Sequence, residues 1–460
     1  MSDREVIGAM DKAGNVSRQA FVLEGNSGAA RAFSNTRTAL AHPPIRLRRA
    51  MLALTCHPMK RDTGQDRSIT QKWRPATRAV RGGTWRSEQG ETSEAIFVTS
   101  GYAYDDAATP AARFAGAEAG MTYSRTQNPS VQMLEERIAL MEGAETCRAQ
   151  ASGMAAMSAV MLCQLSAGDH MVIAQAAFGP TRWVTDNLLP RFGIEVTPVD
   201  GRDNDAWKTA IRPNTKVFFF ETPANPTMDL VDIEYVCGLA REHGIRSVVD
   251  NAFATAAMQR PLDFGADVVA YSATKLMDGQ GRVLAGAVCG DADFINTVLL
   301  PFQRNTGPTL SPFNAWVVLK GLETLHVRAP VHSDNALEVG RFLEKRVPRI
   351  LHPGLDSHPQ RDLVKKQMIK PGSIFSFTID GGRAEAHAIL DALELIDISN
   401  NIGDAKTLMT HPASTTHSSL TPQVREGMGV TEGMLRISVG LEDPQDVIED
   451  LDQALKKVGL

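Results

Sequence analysis

Residues Asp267 to Lys275 read DVVAYSATK. A short apolar, β-branched run ends there in Ser-x-Thr-Lys, and runs of this kind mark strands buried on both faces of a parallel sheet. A second run, Ser247 to Asp250 (SVVD), ends on a carboxylate twenty-five residues before the lysine. The two runs predict neighbouring strands whose ends present a carboxylate and a lysine to one another.

Outward from this pair, strand-like and helix-like segments alternate from about residue 95. Met171 to Ala174, Glu195 to Val199, Val217 to Glu221 and Leu284 to Cys289 read as further strands. Glu135 to Glu142 and Ile233 to His243 read as helices. Such alternation implies an α/β fold with a mainly parallel or mixed sheet covered by helices. After Leu310 the pattern changes. One long helical stretch, Asn314 to Arg346, leads to sparser strands at Ile374 to Ile379 and Leu435 to Val439, which reads as a smaller α+β C-terminal domain. Pro353 to Pro371, rich in Pro and Lys, is expected to be a surface connection within it.

Residues 1–75 read differently. Through Gly83 there are fifteen Lys and Arg against six Asp and Glu, with weak hydrophobic periodicity. A disordered extension is expected; Asp3, Glu5, Asp11 and Glu24 argue against an organelle transit peptide. The expected division is an extension over 1–75, an N-terminal arm over 76–134, a large ligand-binding domain over 135–330 and a C-terminal domain over 331–460.

The bulk numbers narrow the class. In 460 residues, 43% are hydrophobic and 22% charged, as in ordinary soluble proteins. A net charge of -5 gives no reason to expect nucleic-acid or membrane binding. Five well-separated cysteines without a CxxC pair support neither a disulfide framework nor a zinc knuckle, and fit a reducing cytoplasm.

Lysine at a strand end is usually solvated. Lys275 has a richer setting, with hydroxyls at Ser272 and Thr274 and the tight loop Gly279-Gln280-Gly281 beyond. Hydroxyls two apart can hold phosphate oxygens, and a lysine in a dry site loses pKa and becomes a nucleophile. Asp250 ends its strand in VVDNAFA, where an Asx-turn is the plain alternative. A flat cofactor with an aldehyde and a pyridine nitrogen needs both groups, so pyridoxal 5'-phosphate is expected. Ser152, Gly153 and Met154 open a helical run whose N-terminus suits an anion. Tyr123 and Arg125 lie in a polar loop (YSRTQNPS), and arginine suits bidentate phosphate binding. Asn225 follows the VFFF strand at the end where open α/β sheets place ligands, and is expected to contact the cofactor's phenolic oxygen or a substrate carboxylate. Arg436, inside the apolar strand LRISVG, needs an anionic partner, either a buried acid or a substrate carboxylate. His411 and His417 lack metal-like spacing and read as a polar active-site or surface loop.

Taken in order, YSRxxNP, SGM, ETPxNP, VVDN, SATK and LRISVG resemble the Cys/Met-metabolism family of pyridoxal-phosphate enzymes over about residues 90–460. The resemblance implies a fold-type I, aspartate-aminotransferase-like subunit, a homotetramer built from two dimers, with Tyr123 and Arg125 completing the neighbour's phosphate site. It implies Lys275 as the cofactor-bound catalytic lysine and Asp250 at the pyridine nitrogen. Ser152, Gly153, Met154, Ser272 and Thr274 would hold the phosphate, and Asn225 and Arg436 the substrate carboxylate. Phe178 stands where many members carry a tyrosine over the ring, so a proton-shuttling hydroxyl is missing there. Asp278 to Arg282 (DGQGR) and Asn401 to His417 look most like the O-succinylhomoserine sulfhydrylase branch, with Asn401 beside the substrate. The implied substrates are an acylhomoserine and sulfide. Cystathionine γ-synthase, O-acetylhomoserine sulfhydrylase and the γ-lyases are the alternatives on the same scaffold, and a non-catalytic scaffold is the alternative of another class. Arg282 and Lys406 are the candidate partners of a succinyl carboxylate.

Overall fold

The computed structural model describes residues 64–418 and 420–460. Seven strands form the larger sheet: β1 (Thr146–Gln150), β2 (His170–Ala174), β3 (Glu195–Val199), β4 (Thr215–Glu221), β5 (Arg246–Asp250), β6 (Val268–Tyr271) and β7 (Gly286–Gly290). Their order is β1-β7-β6-β5-β4-β2-β3. The strands β3, β2, β4, β5 and β6 run parallel, and β7 is antiparallel to both its neighbours.

Strand alternation builds two cores from this sheet. Phe218, Phe220, Val249 and Val269 face one apolar cluster, while Val217, Phe219, Val248 and Val268 face the other. All eight are fully buried, which is why these strands read as unbroken apolar runs. Helices Pro129–Glu142 and Pro312–Glu323 cover the first face; helix Gly153–Leu162 covers the second.

A five-stranded sheet follows, ordered β10-β11-β12-β9-β8. Its strands are β8 (Arg349–Leu351), β9 (Ile374–Thr378), β10 (Asp397–Ile398), β11 (Leu408–Thr410) and β12 (Met434–Ser438). Helices Leu325–Leu343, Arg383–Ala392 and Pro444–Lys457 bury its apolar face. The α/β class with a smaller α+β unit is thus as expected from the sequence.

Three details differ from the sequence reading. The long helix is two, Pro312–Glu323 and Leu325–Leu343, broken where Thr324 leaves helical geometry. The Pro353–Pro371 connection is not a surface strap. It contains helix Arg361–Gln367, and Gln360 and Gln367 satisfy backbone groups of the segment after β4. Gln360 Oε1 accepts from the Leu230 amide at 2.8 Å, and Gln367 Nε2 donates to the Val231 carbonyl at 3.1 Å. The third concerns the leader. Residues 1–63 of the expected extension lie outside the described residues. Residues 67–70 form a helical turn capped by Asp66, and Arg67 pairs with Glu136 at 2.8 Å. Among the described residues no helix is long and apolar enough to cross a membrane.

Candidate active site

The carboxyl ends of β4, β5 and β6 open on a cavity of about 500 Å³, where parallel sheets place ligands. Glu221 and Asp250 close adjacent strands in register with one another. Lys275 stands four residues beyond the end of β6, in the loop that returns to β7. Most of the sequence-predicted residues line this cavity. They are Ser152, Gly153, Met154, Phe178 and Asn225 with Asp250, Ser272, Thr274 and Lys275, and Asn401 and Arg436 from the small-sheet unit.

The amine of Lys275 donates to Asn401 Oδ1 at 2.6 Å. Burial, helped by the positive charge of Arg436, pulls its pKa down to about 8. Asp250 is buried, and its carboxylate accepts from the Ala252 amide at 3.0 Å. It forms no ion pair among the described residues, and burial pushes its pKa up to about 7. A carboxylate kept dry without a cation calls for a cationic ligand.

Arg436 sits in the middle of β12 and is buried. Its Nη1 donates to Asn225 Oδ1 at 3.0 Å and its Nη2 to the Asn400 carbonyl at 2.9 Å. Its Nε has no partner among the described residues, and burial lowers its pKa to about 10. The nearest acid, Glu221, offsets only part of that cost, so the guanidinium retains capacity for an anion. Asn225, foreseen as a contact of cofactor or substrate, is here the oxygen that aims this arginine.

The helix start at Ser152 and the loop before Lys275 meet at the cavity wall. Ser152 caps helix Gly153–Leu162, its hydroxyl accepting from the Ala155 amide. A Cβ at Gly153 would lie 2.5 Å from Ser272 Oγ, so only glycine lets the helix start meet the loop before Lys275. The Thr274 hydroxyl exchanges hydrogen bonds with Ala285, pinning that loop to the entry of β7. Amides at a helix N-terminus, a dry unpaired carboxylate and an amine of lowered pKa together fit phosphate, pyridine nitrogen and aldehyde respectively.

Some groups lie elsewhere. Tyr123 and Arg125 do not line the cavity. Tyr123 is 44% exposed, with the Arg125 guanidinium 5.3 Å from its ring centre and bonded to the Arg304 carbonyl. Arg282 reaches the cavity and is held by Asp278 at 2.9 Å, whereas Lys406 does not line it. His411 and His417 are both buried rather than in a surface loop, and burial lowers His417 to about 4. Glu221 was quoted only as part of a turn motif. Its Oε2 accepts from the Phe178 amide at 2.8 Å, which fixes the phenyl ring at the cavity wall. Nothing local in the sequence separates it from any strand-end glutamate; its register with Asp250 does.

Comparison with known proteins gives the family. The family model described as Cys/Met metabolism PLP-dependent enzyme matches residues 76–456. The chain is 45% identical to O-succinylhomoserine sulfhydrylase of Pseudomonas aeruginosa over 381 residues, covering 82% of this chain and 94% of that one. It is 42% identical to L-methionine gamma-lyase of Porphyromonas gingivalis over 384 residues, covering 83% and 96%. Among solved structures, a provisionally named O-acetylhomoserine (thiol)-lyase of Campylobacter jejuni, carrying N'-pyridoxyl-lysine-5'-monophosphate, superposes with a TM-score of 0.81. Its identity is 33%, over 84% of this chain and all of that chain.

Proposed function

Because the chain belongs to the Cys/Met metabolism PLP-dependent enzymes, we propose that it catalyses γ-replacement on O-succinylhomoserine. Sulfide takes the place of succinate at Cγ and homocysteine is released, a step of methionine biosynthesis in the cytoplasm. Pyridoxal phosphate supplies the electron sink that makes the substrate Cα proton removable.

The chain's own residues do the rest. The helix start at Ser152, Gly153 and Met154, with Ser272 and Thr274, would bind the phosphate. Asp250 would keep the pyridine nitrogen protonated, and Phe178 would lie against the ring. Arg436, aimed by Asn225, binds the substrate α-carboxylate. Lys275 would hold the cofactor aldehyde carbon; its free amine takes the proton from Cα and moves one at Cβ, so that succinate leaves as a stabilised carboxylate.

The observation that carries this reading is that, among the described residues, Lys275 is the one lysine lining the cavity and no tyrosine lines it. Of the residues its own chain supplies, a single base then serves two adjacent carbons, and Asn401 at 2.6 Å gives it a second resting point beside the substrate. The decisive experiment is a steady-state comparison of O-succinyl- and O-acetylhomoserine, each with sulfide and with cysteine. The expected result is homocysteine from O-succinylhomoserine and sulfide as the preferred reaction. Ammonia and a keto acid formed without a nucleophile would make the protein a γ-lyase instead.

Tyr123 and Arg125 are assigned to the site of a second copy, in a homotetramer of two dimers. Their exposure and distance from the cavity of their own chain support this. Mixing inactive Lys275→Ala and Arg125→Ala chains should restore activity through hybrid sites; no recovery would place both residues outside the site.

A further inference from the structure

A second cavity, of about 190 Å³, lies behind the first. Among the described residues, Glu221 alone lines both. On the cavity that holds Lys275 it faces Asp250, its register partner on β5, and Arg436 on β12. On the other side stand Asp200 and Arg202 after β3, Asp229 after β4, Arg349 on β8 and Glu426 in helix Pro422–Gly427. Arg202 is occupied there by Asp200 at 2.7 Å and Asp229 at 3.5 Å, and its side chain is half exposed, so this rear cavity reaches water.

Register neighbours in a parallel sheet are about 4.8 Å apart at the backbone. Two carboxylates so placed in a dry site cannot both carry a charge cheaply. Glu221 is 6% exposed and Asp250 5%. Glu221 receives the Phe178 amide on one oxygen and the Asn225 amide as well, which fixes the carboxyl in the wall between the cavities.

We propose that Glu221 is a positioning residue that shares one proton with Asp250 and exchanges it through the rear cavity. The charge facing the cofactor's ring nitrogen is then set from behind the active site, and stays adjustable while substrate fills the front. Burial raises both carboxyls, with Asp250 pushing Glu221 further up, in keeping with a pair that holds a proton near neutral pH. The inference rests on the cofactor's seat and not on the identity of the acylhomoserine.

The test is a pH titration of the visible absorbance of the cofactor-loaded protein, which involves no acylhomoserine and so stands apart from the substrate reading. The wild type should show an ionisation of the carboxyl pair beside that of the lysine. Glu221→Gln should remove the pair's step, or move it by a pH unit or more. Glu221→Asp should keep the step but displace it, which decides the matter if the amide variant fails to fold. Titrations of either variant that superimpose on the wild type would overturn the shared proton. Saturating the site with L-2-aminobutyrate, which has no γ-substituent to lose, should leave the pair's step present. Its disappearance would overturn exchange through the rear cavity.

Discussion

The Lys275 amine, from the loop between β6 and β7, donates to Asn401 Oδ1, from the loop between β10 and β11, at 2.6 Å. One hydrogen bond thus joins the large sheet's reactive group to the small sheet. A hydrogen bond to a charged donor is worth about 1.5–3 kcal/mol. Asn401→Ala should lower kcat about tenfold or more while cofactor still binds, because the amine loses its second resting point. Asn401→Asp should stabilise the ammonium form of the amine freed during turnover and shift the acidic limb of kcat to higher pH. An unmoved limb in the aspartate variant would show that the amine does not rest there during turnover.

The depressed pKa of Lys275 makes a separate prediction. Burial favours the neutral amine, so in the cofactor-free protein it is free to react above about pH 8 instead of 10.5. The rate of cofactor capture should rise with pH up to about 8 and then level off. A rate that climbs on towards 10.5 would mean a solvated lysine.

Asp250 shows the opposite sign. Its pKa is raised from 3.8 to about 7 by burial, so the folded cofactor-free protein prefers the protonated acid. That preference contributes stability which is complete below about pH 4 and is lost as pH rises through about 7. Asp250→Asn should therefore raise the thermal midpoint of the cofactor-free protein relative to wild type at pH 8, with little difference at pH 4. The same change should weaken cofactor binding. A variant less stable at pH 8 would mean that the carboxylate has a cation of its own.

At Gly153, a methyl group would be 2.5 Å from both Ser272 Cβ and Oγ. Gly153→Ala should push apart the two halves of the phosphate cup and raise the cofactor dissociation constant by about tenfold, the loss of roughly one charge-assisted hydrogen bond. Unchanged affinity by equilibrium dialysis would place the phosphate elsewhere.

Arg282 reaches the cavity mouth with its orientation fixed by Asp278. For a substrate with a distal carboxylate, Arg282→Ala should raise KM about tenfold, again the scale of one charged hydrogen bond. O-acetylhomoserine, which has no such group, should be little affected. Equal effects on both would remove Arg282 from leaving-group recognition.

Much of this was legible in the chain itself, and the reasons are physical. VFFF, SVVD and DVVAY are buried on both faces, so their apolarity betrays them and their order along the chain puts Asp250 beside Lys275. Strand β1, Thr146–Gln150 (TCRAQ), was missed because its edge position lets Thr146 and Arg148 stay partly exposed. The short β8, β10 and β11 offer too few residues for a pattern. Arg436 was legible as a charge in an apolar strand. The Lys275–Asn401 bond and the Glu221–Asp250 pair were not, since each joins segments whose meeting depends on topology. Residues of the connection 353–371 misled for the same reason: Gln360 and Gln367 look like surface residues until the backbone they satisfy is known.

The pairing of β1 with β7 also sets a timetable. Thr146 to Gln150 can find no sheet neighbour until Gly286 to Gly290 has been synthesised. The edge nearest the start of the helix cup therefore waits, unpaired, while β2 to β6 assemble. Arg436 arrives later still. Lysine, acid and phosphate cup thus all lie in the chain ahead of Arg436, which follows Lys275 by 161 residues.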